Sequence, residues 1–215
     1  MSNEMIVLGQ AIKSYSTPQN ILDEINGVYD YRRENELPPT NKFLAGKIKS
    51  EHTLYHNEIH DASKNFNFLS TQTLDWFQNK FQDYLHTVKA TSVTIRLSSI
   101  WVNQMYANEY NPVHTHFSSA SKLGLSSVMI LKLPSSYGEE YSRPDNPLNG
   151  QLQFMGNGGG QFAFTDYRPE PKVGDFFVFP YDMRHCVYPF NTTEEHRRTL
   201  AANVDTFYNT PPLKL

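Results

Sequence analysis

The chain has 215 residues, of which 39% are apolar and 13% aromatic, and a formal net charge of −3. This length suits one domain with a sizeable core, and the small negative charge gives no general electrostatic reason to bind nucleic acid or a membrane surface. The single cysteine, Cys186, excludes an intrachain disulfide framework and a cysteine-rich zinc site. Because no basic leader and no long apolar run is evident, we expect a cytoplasmic protein without a signal peptide or membrane span.

Two helices are expected in the first part of the chain. Residues 5–13 are short and apolar enough to predict a strand. The sequence Ser16-Thr17-Pro18 then predicts a helix start, because apolar residues follow it at helical spacing. A second helix is predicted over Thr71–Ala90, with Thr71 or Thr73 as its N-cap.

The pattern between the two helices indicates a long loop, Pro38–Asn67, with one or two helical turns. Three histidines, His52, His56 and His60, lie there at intervals of four. On a helix this spacing would form a metal-binding face. The neighbouring residues are weak helix formers, however, and this favours a solvated surface over a second metal site.

After residue 91 the hydrophobic period changes from helical spacing to two, which is typical of strands. Turns rich in glycine and proline separate these strands, and such a series indicates a β-sandwich or a jelly-roll barrel. We therefore expect a single domain, 1–215, mainly β, in which 1–90 form an N-terminal helical cover and 91–215 form the β core. The predicted strands are 93–102, 103–106, 126–133, 151–154, 162–164, 175–179, 185–188 and 198–208.

A candidate metal site lies in the stretch Asn111–His116. His114 and His116 are two residues apart, so on an extended segment their imidazoles lie on the same side. Pro112 favours that extended conformation over a helix. His185, on a later strand-like segment, is the best candidate for a third ligand. If the three converge, they form a mononuclear centre with open coordination positions.

A candidate anion site follows at Arg197-Arg198-Thr199, twelve residues after His185. On a strand, Arg197 and Thr199 share one face and Arg198 lies on the other. A buried arginine with a hydroxyl two residues later can bind a carboxylate in bidentate fashion. Periodicity alone does not decide which of the two arginines faces inward.

In their order along the chain, these motifs resemble the 2-oxoglutarate- and Fe(II)-dependent dioxygenase superfamily. Within it, they are most similar to a branch of 2OG-Fe(II) oxygenases that is common in bacteria and phages. The resemblance covers residues 93–208 and implies a double-stranded β-helix, a cupin-like jelly roll. It rests on Trp101-Val102-Asn103, the Asn111–His116 stretch, Phe164–Arg168, Gly174-Asp175, Phe179-Pro180, His185–Pro189 and Arg197 through Asn203.

The resemblance implies a role for each candidate residue. His114, His116 and His185 would hold Fe(II), and Arg197 would bind the far carboxylate of the cosubstrate 2-oxoglutarate, with Thr199 beside it and Arg198 as the alternative. Asn103 or Tyr106 would add a hydrogen bond to the cosubstrate. No residue beyond the metal centre is expected to be catalytic.

One position departs from the superfamily pattern, which places a carboxylate two residues after the first histidine. Here that residue is His116, so the ligands would be three neutral imidazoles, a set that shifts metal preference toward Zn, Cu or Ni. Alternatively, only His114 and His185 bind the metal, and His116 orients or contacts the substrate. The nearby acids are Asp166 and Asp175, and we interpret Asp175 as a turn residue.

The expected function is an oxygenase that uses Fe(II), 2-oxoglutarate and O2, most simply a hydroxylase of a small polar metabolite, an amino acid or a peptide side chain. One alternative is a cupin-like three-histidine dioxygenase or isomerase that does not use 2-oxoglutarate. Another is a non-enzymatic jelly-roll binding protein. The N-terminal helices can pack on their own barrel or on a second subunit, which leaves a homodimer open.

Overall fold

The computed structural model describes residues 9–35, 46–156, 158, 160–161, 163–191 and 193–209. Two α-helices lie in these ranges, α1 (Gln19–Glu34) and α2 (Thr71–Thr87). The strands are β1 (Lys13–Ser16), β2 (Ser50–His56), β3 (Phe66–Asn67), β4 (Val93–Met105), β5 (Asn111–His114), β6 (Gly124–Lys132), β7 (Leu152–Met155), β8 (Asp166–Tyr167), β9 (Asp175–Pro180), β10 (Arg184–Val187) and β11 (Arg197–Tyr208).

The strands form two sheets. The larger sheet has the order β1-β9-β6-β11-β4-β2-β3, and the smaller has the order β5-β10-β7-β8. All of the strand pairs are antiparallel. This mostly β jelly roll with two helices confirms the predicted fold class. None of the described helices combines the length and the apolar character needed to cross a bilayer.

Both helices pack on one face of the larger sheet. Helix α1 begins after Pro18, whose fixed φ suits a helix start, and buries Ile21, Ile25 and Tyr29. Helix α2 begins after Ser70, whose hydroxyl accepts a hydrogen bond from the Thr73 N–H. The prediction of Thr71 or Thr73 as N-cap was therefore wrong, by one and three residues.

The larger sheet presents two different faces, because alternate residues of a strand point to opposite sides. On β11, Leu200, Ala202 and Val204 belong to the core cluster that includes the helices. Thr199, Ala201 and Asn203 line a cavity on the other side, as do Ser99, Trp101 and Asn103 of β4. Four of these six cavity-lining residues are polar, whereas the residues of β11 under the helices are apolar.

Two regions differ from the sequence-based expectations. The first strand lies at Lys13–Ser16; residues 9–12 are not in a strand, and 5–8 lie outside the described residues. The expected long loop 38–67 contains strands β2 and β3, and only the short 3-10 turn Ala62–Lys64 matches the predicted helical turn. Residues 38–45 lie outside the described part.

The strand β2 escaped detection because both of its faces carry polar residues. Glu51 and Thr53 line the cavity, while Ser50 and His52 contact Tyr29 of α1 on the other face, so the strand lacks the alternation of apolar and polar residues that marks a half-buried strand. Two further boundaries differ from the prediction: β4 is continuous where two strands were predicted, and β8 occupies Asp166–Tyr167. Of the predicted strand 162–164, residues 163–164 are not in a strand and residue 162 lies outside the described residues.

Candidate metal centre

Strand pairing brings the three candidate histidines together. Within the smaller sheet β5 pairs with β10, and His114 and His185 are register partners in that pair. His116 lies two residues beyond the end of β5, where its N–H donates to the Tyr181 carbonyl at 2.9 Å. This hydrogen bond fixes the segment after β5, so the His116 imidazole lies beside those of His114 and His185.

The three imidazoles are arranged as metal ligands. One nitrogen from each lies within 4.8 Å of the others, and Nε2 of His116 is 3.2 Å from Nε2 of His185. Two imidazoles that bind one metal at about 2.1 Å and at right angles place their nitrogens about 3.0 Å apart. The observed separation fits adjacent corners of one coordination sphere.

Hydrogen bonds to backbone carbonyls set which nitrogen is free on two of the rings. Nδ1 of His114 lies 2.8 Å from the Pro112 carbonyl, and Nδ1 of His185 lies 3.0 Å from the Met183 carbonyl. A carbonyl only accepts, so each Nδ1 carries the proton and each Nε2 presents a lone pair. A hydrogen bond from the ring nitrogen that does not bind the metal commonly orients histidine ligands in this way.

Burial keeps the imidazoles neutral, as a metal ligand must be. It lowers the pKa of His185 to about 3, with His114 adding to the effect. The pKa of His116 is lowered well below its usual value by burial and then by the neighbouring imidazoles, and that of His114 is also lowered by burial. Three neutral nitrogen donors at this spacing therefore fit a divalent transition metal.

A cavity of about 920 Å³ extends from this cluster between the two sheets. Arg197 lies in its lining and is 2% exposed. One terminal nitrogen donates to the Thr199 hydroxyl at 3.4 Å, whereas Nε and the other terminal nitrogen meet no hydrogen-bond partner at close range in the described structure. The phenol of Tyr137 is close enough for the two groups to shift each other's pKa, and burial lowers that of Arg197.

Arg198 lies on the opposite face of β11, as the strand period requires. Its guanidinium bonds to Asp30 at 2.7 Å and to Gln104 at 2.8 Å, and its terminal nitrogen also donates to Asn26. This arginine therefore ties α1 to the sheet. Of the two candidates, Arg197 is the one that faces the cavity.

The remaining predicted residues separate into two groups. Asn103 and Thr199 line the cavity and are register partners across β4 and β11. Tyr106 is absent from the described lining; its hydroxyl accepts from the Gln104 amide and its ring contacts His196. The geometry thus gives no support to a cosubstrate contact by Tyr106.

Neither nearby acid joins the histidine cluster within the described residues. Asp175 accepts a hydrogen bond from the Lys172 N–H at 2.8 Å, in agreement with its interpretation as a turn residue. Asp166 is exposed and bonds to the Thr165 hydroxyl. The position two residues after His114 is therefore occupied by an imidazole, with no carboxylate in its place.

The earlier histidines form no second cluster in the described structure. The expectation of a solvated surface was wrong for His52, which is 4% exposed and packs edge-on against Tyr29. It holds for the exposed His60. His56 lines the outer part of the main cavity.

Several cavity residues carried no predicted site role, above all Trp101 and Asn203. Both lie on strands that were predicted, and both share a face with predicted site residues, Asn103 and Thr199 respectively. Extending the period of two along each strand from those residues would have identified them.

Comparisons with known proteins agree with this geometry. Residues 99–203 match the model of a family described as "Putative 2OG-Fe(II) oxygenase". A comparison with curated proteins found no significant match. The matched segment begins on β4 and ends on β11, so it contains all three histidines and Arg197.

Solved structures share the fold at low sequence identity. A prolyl-4-hydroxylase from Pseudomonas putida is similar over 92% of this chain and 92% of its own, at 15% identity and a TM-score of 0.54. An oxidoreductase of the 2OG-Fe(II) oxygenase family from Burkholderia pseudomallei is similar over 92% and 84%, at 14% identity and a TM-score of 0.57. Residues 99–203, which contain the histidine cluster, are therefore similar to the 2OG-Fe(II) oxygenase family, whose enzymes depend on Fe(II) and 2-oxoglutarate, and the solved structures support the common fold.

Proposed function

We propose that this enzyme is a hydroxylase that binds Fe(II) through His114, His116 and His185 and binds 2-oxoglutarate through Arg197. The observation that carries the proposal is the buried Arg197 guanidinium, which faces the same cavity as the three imidazoles and pairs with no carboxylate there. An unpaired buried charge costs several kcal/mol, so a dicarboxylate cosubstrate would supply its missing partner.

Each residue has a defined task in this scheme. The bound metal and cosubstrate supply the O2 chemistry that oxidises a C–H bond while 2-oxoglutarate becomes succinate and CO2. The imidazoles keep the metal on the wall of the cavity and leave other positions open. Arg197 and Thr199 hold the far carboxylate, and the Asn103 amide, whose oxygen has no partner in the described structure, adds a hydrogen bond.

The neutral ligand set has an electrostatic consequence. Three imidazoles leave the full charge of a divalent metal uncompensated, whereas a carboxylate ligand would remove one unit of it. A dianionic cosubstrate bound between the metal and Arg197 would offset two of these three positive charges. A three-histidine dioxygenase that does not use 2-oxoglutarate would have no partner for Arg197, which is why the cosubstrate-dependent reaction is favoured.

The substrate is proposed at the level of class. The similar Pseudomonas putida protein is a prolyl-4-hydroxylase, and the cavity is large enough for a side chain or a small polar molecule beside 2-oxoglutarate. We propose a peptide side chain, an amino acid or a small polar metabolite. The single free thiol, Cys186, suits a reducing compartment such as the cytoplasm.

The test is conversion of 2-oxoglutarate to succinate by the purified protein with Fe(II) and O2. We expect succinate to form with the wild type and to be lost in His185→Ala and Arg197→Met, while Arg198→Met retains the reaction. Succinate formation that is independent of both His185 and Arg197 would contradict the proposal.

A further inference from the structure

The cavity continues past the metal centre, away from Arg197. Along β11, Asn203 lies six residues beyond Arg197, which corresponds to about 20 Å at a rise of about 3.3 Å per residue. The His116 ring lies 6.1 Å from the Trp101 ring, and Trp101 is the register partner of Ala201. The metal site therefore lies at the level of Ala201, between the two ends.

This position divides the cavity into two parts. A cosubstrate that reaches from Arg197 to the metal fills the part lined by Thr199 and Asn103. The part beyond Ala201, which we call the outer chamber, is then left for the primary substrate. It is lined by Thr53, His56, Phe66, Ser99, Trp101, Phe117 and Asn203.

Asn203 is the polar centre of the outer chamber. Strand register places it next to Ser99, which in turn lies next to His56, so one row of polar side chains crosses the sheet. The side chain is 8% exposed, and its amide oxygen has no hydrogen-bond partner in the described structure. An unpaired amide oxygen in a buried site lowers stability, and a ligand that donates a hydrogen bond to it would remove that cost.

The described lining of the outer chamber contains no Asp, Glu, Lys or Arg, and its titratable group is the His56 imidazole. Arg197 and Glu51 also line the cavity, but Glu51 is the register partner of Asn103 on the cosubstrate side. A carboxylate or an ammonium group in the outer chamber would therefore lose its hydration without gaining a permanent counter-charge. A carboxamide would instead both donate to and accept from the Asn203 amide, while its apolar body packs on Trp101.

We infer that the primary substrate presents an uncharged carboxamide-type group on an apolar body, and that Asn203 is the residue that selects it. The inference rests on the proposed function, since it takes the Arg197 side as the place of 2-oxoglutarate. It narrows the substrate from the wider class above to neutral amides, which disfavours free amino acids because they are zwitterions.

Three probes with one benzyl skeleton test this selection: phenylacetamide, phenylacetate and phenethylamine, which are neutral, anionic and cationic. The full chain is loaded with Zn(II), which supports no oxidation, and with saturating 2-oxoglutarate, which stops phenylacetate from occupying the Arg197 side. Dissociation constants are measured by ligand-observed NMR, because fragments of this size bind weakly.

We expect phenylacetamide to bind at least about 10-fold more tightly than either charged probe, which is the scale of one lost hydrogen bond in a buried site. Asn203→Leu should abolish this preference, and Asn203→Asp should transfer it to phenethylamine. Equal binding of the three probes to the wild type, or an unchanged preference in Asn203→Leu, would overturn the inference. If Asn203→Leu does not fold, the wild-type comparison and Asn203→Asp decide.

Binding of 2-oxoglutarate to the same samples separates the two proposals. If 2-oxoglutarate binds and the amide preference is missing, the selection by Asn203 is wrong and the proposed function stands. If 2-oxoglutarate does not bind, the proposed function fails, and the probe series without it still tests the outer chamber.

Discussion

Replacing Arg197 with methionine should separate its role in binding from its effect on stability. The guanidinium is buried with two unpartnered nitrogens and no acid beside it in the described structure. In the free protein, substitution of an unpaired buried charge by an apolar side chain of similar length should be neutral or should stabilise by about 1–4 kcal/mol. In the complex, the same change leaves a carboxylate of 2-oxoglutarate unpaired, which costs about 3–5 kcal/mol.

The expected result is thus a protein that is at least as stable as the wild type and binds 2-oxoglutarate about 10²- to 10³-fold more weakly. Urea unfolding measures the first quantity, and anaerobic calorimetric titration of the Fe(II)-loaded protein measures the second. Arg198→Met is the matched control. Because Arg198 bonds to Asp30 and Gln104 on the other side of the sheet, its loss should lower stability and leave the affinity for 2-oxoglutarate near that of the wild type. Wild-type affinity for 2-oxoglutarate in Arg197→Met, or an equal loss of that affinity in both variants, would contradict this role of Arg197.

Three further changes test other parts of the account. His116→Leu should weaken metal binding by more than the roughly 10- to 100-fold that follows loss of a group that only hydrogen-bonds to a ligand, while His116→Asp should retain metal binding. Wild-type metal affinity of His116→Leu in a metal-competition titration would show that His116 is not a ligand. Burial lowers the pKa of His52, so the unfolded chain takes up a proton first and stability falls as pH drops below about 6.5; His52→Leu, compared with exposed His60→Leu, should reduce the fall in melting temperature between pH 7.5 and 5.5, and an unchanged fall would count against this. Gly150 has a φ of +66°, and an added Cβ would collide with the Tyr137 ring; Gly150→Ala should weaken 2-oxoglutarate binding through Arg197, and wild-type affinity would exclude this coupling.

The candidate metal ligands and the candidate cosubstrate-binding arginine could be proposed from the sequence because each lies in a short local pattern. His114 and His116 are two residues apart, and Arg197 follows His185 by twelve. Spacing along the chain does not determine which imidazoles lie close together. In the structure, the pairing of β5 with β10 does so by placing His114 opposite His185. Periodicity alone left Arg197 and Arg198 as alternatives, and the contact of Arg198 with α1 separates them.

Strand β2 was the element of the cavity wall that the sequence predicted least well. Its sequence resembles a loop because Glu51 and Thr53 on the cavity face and Ser50 and His52 on the opposite face are all polar, so the alternating pattern is lost. In a strand that lines a binding site, residue types are set by contacts with the ligand as well as by packing against the core, so simple sequence patterns are often lost there. Tyr106, predicted as a possible cosubstrate contact, lies just after β4 ends at Met105, and its hydroxyl accepts from the Gln104 amide outside the described cavity lining.

The most direct test of the central claim is an anaerobic titration of the metal-free protein with Fe(II) and then 2-oxoglutarate, followed by visible absorption. A metal-to-ligand charge-transfer band should appear when 2-oxoglutarate chelates the iron, and this band should be lost in His185→Ala. Iron binding without the band would contradict the role of 2-oxoglutarate and favour a three-histidine dioxygenase that does not use it. Absence of iron binding would contradict the metal centre itself and leave a jelly-roll protein that binds its ligand without oxidation.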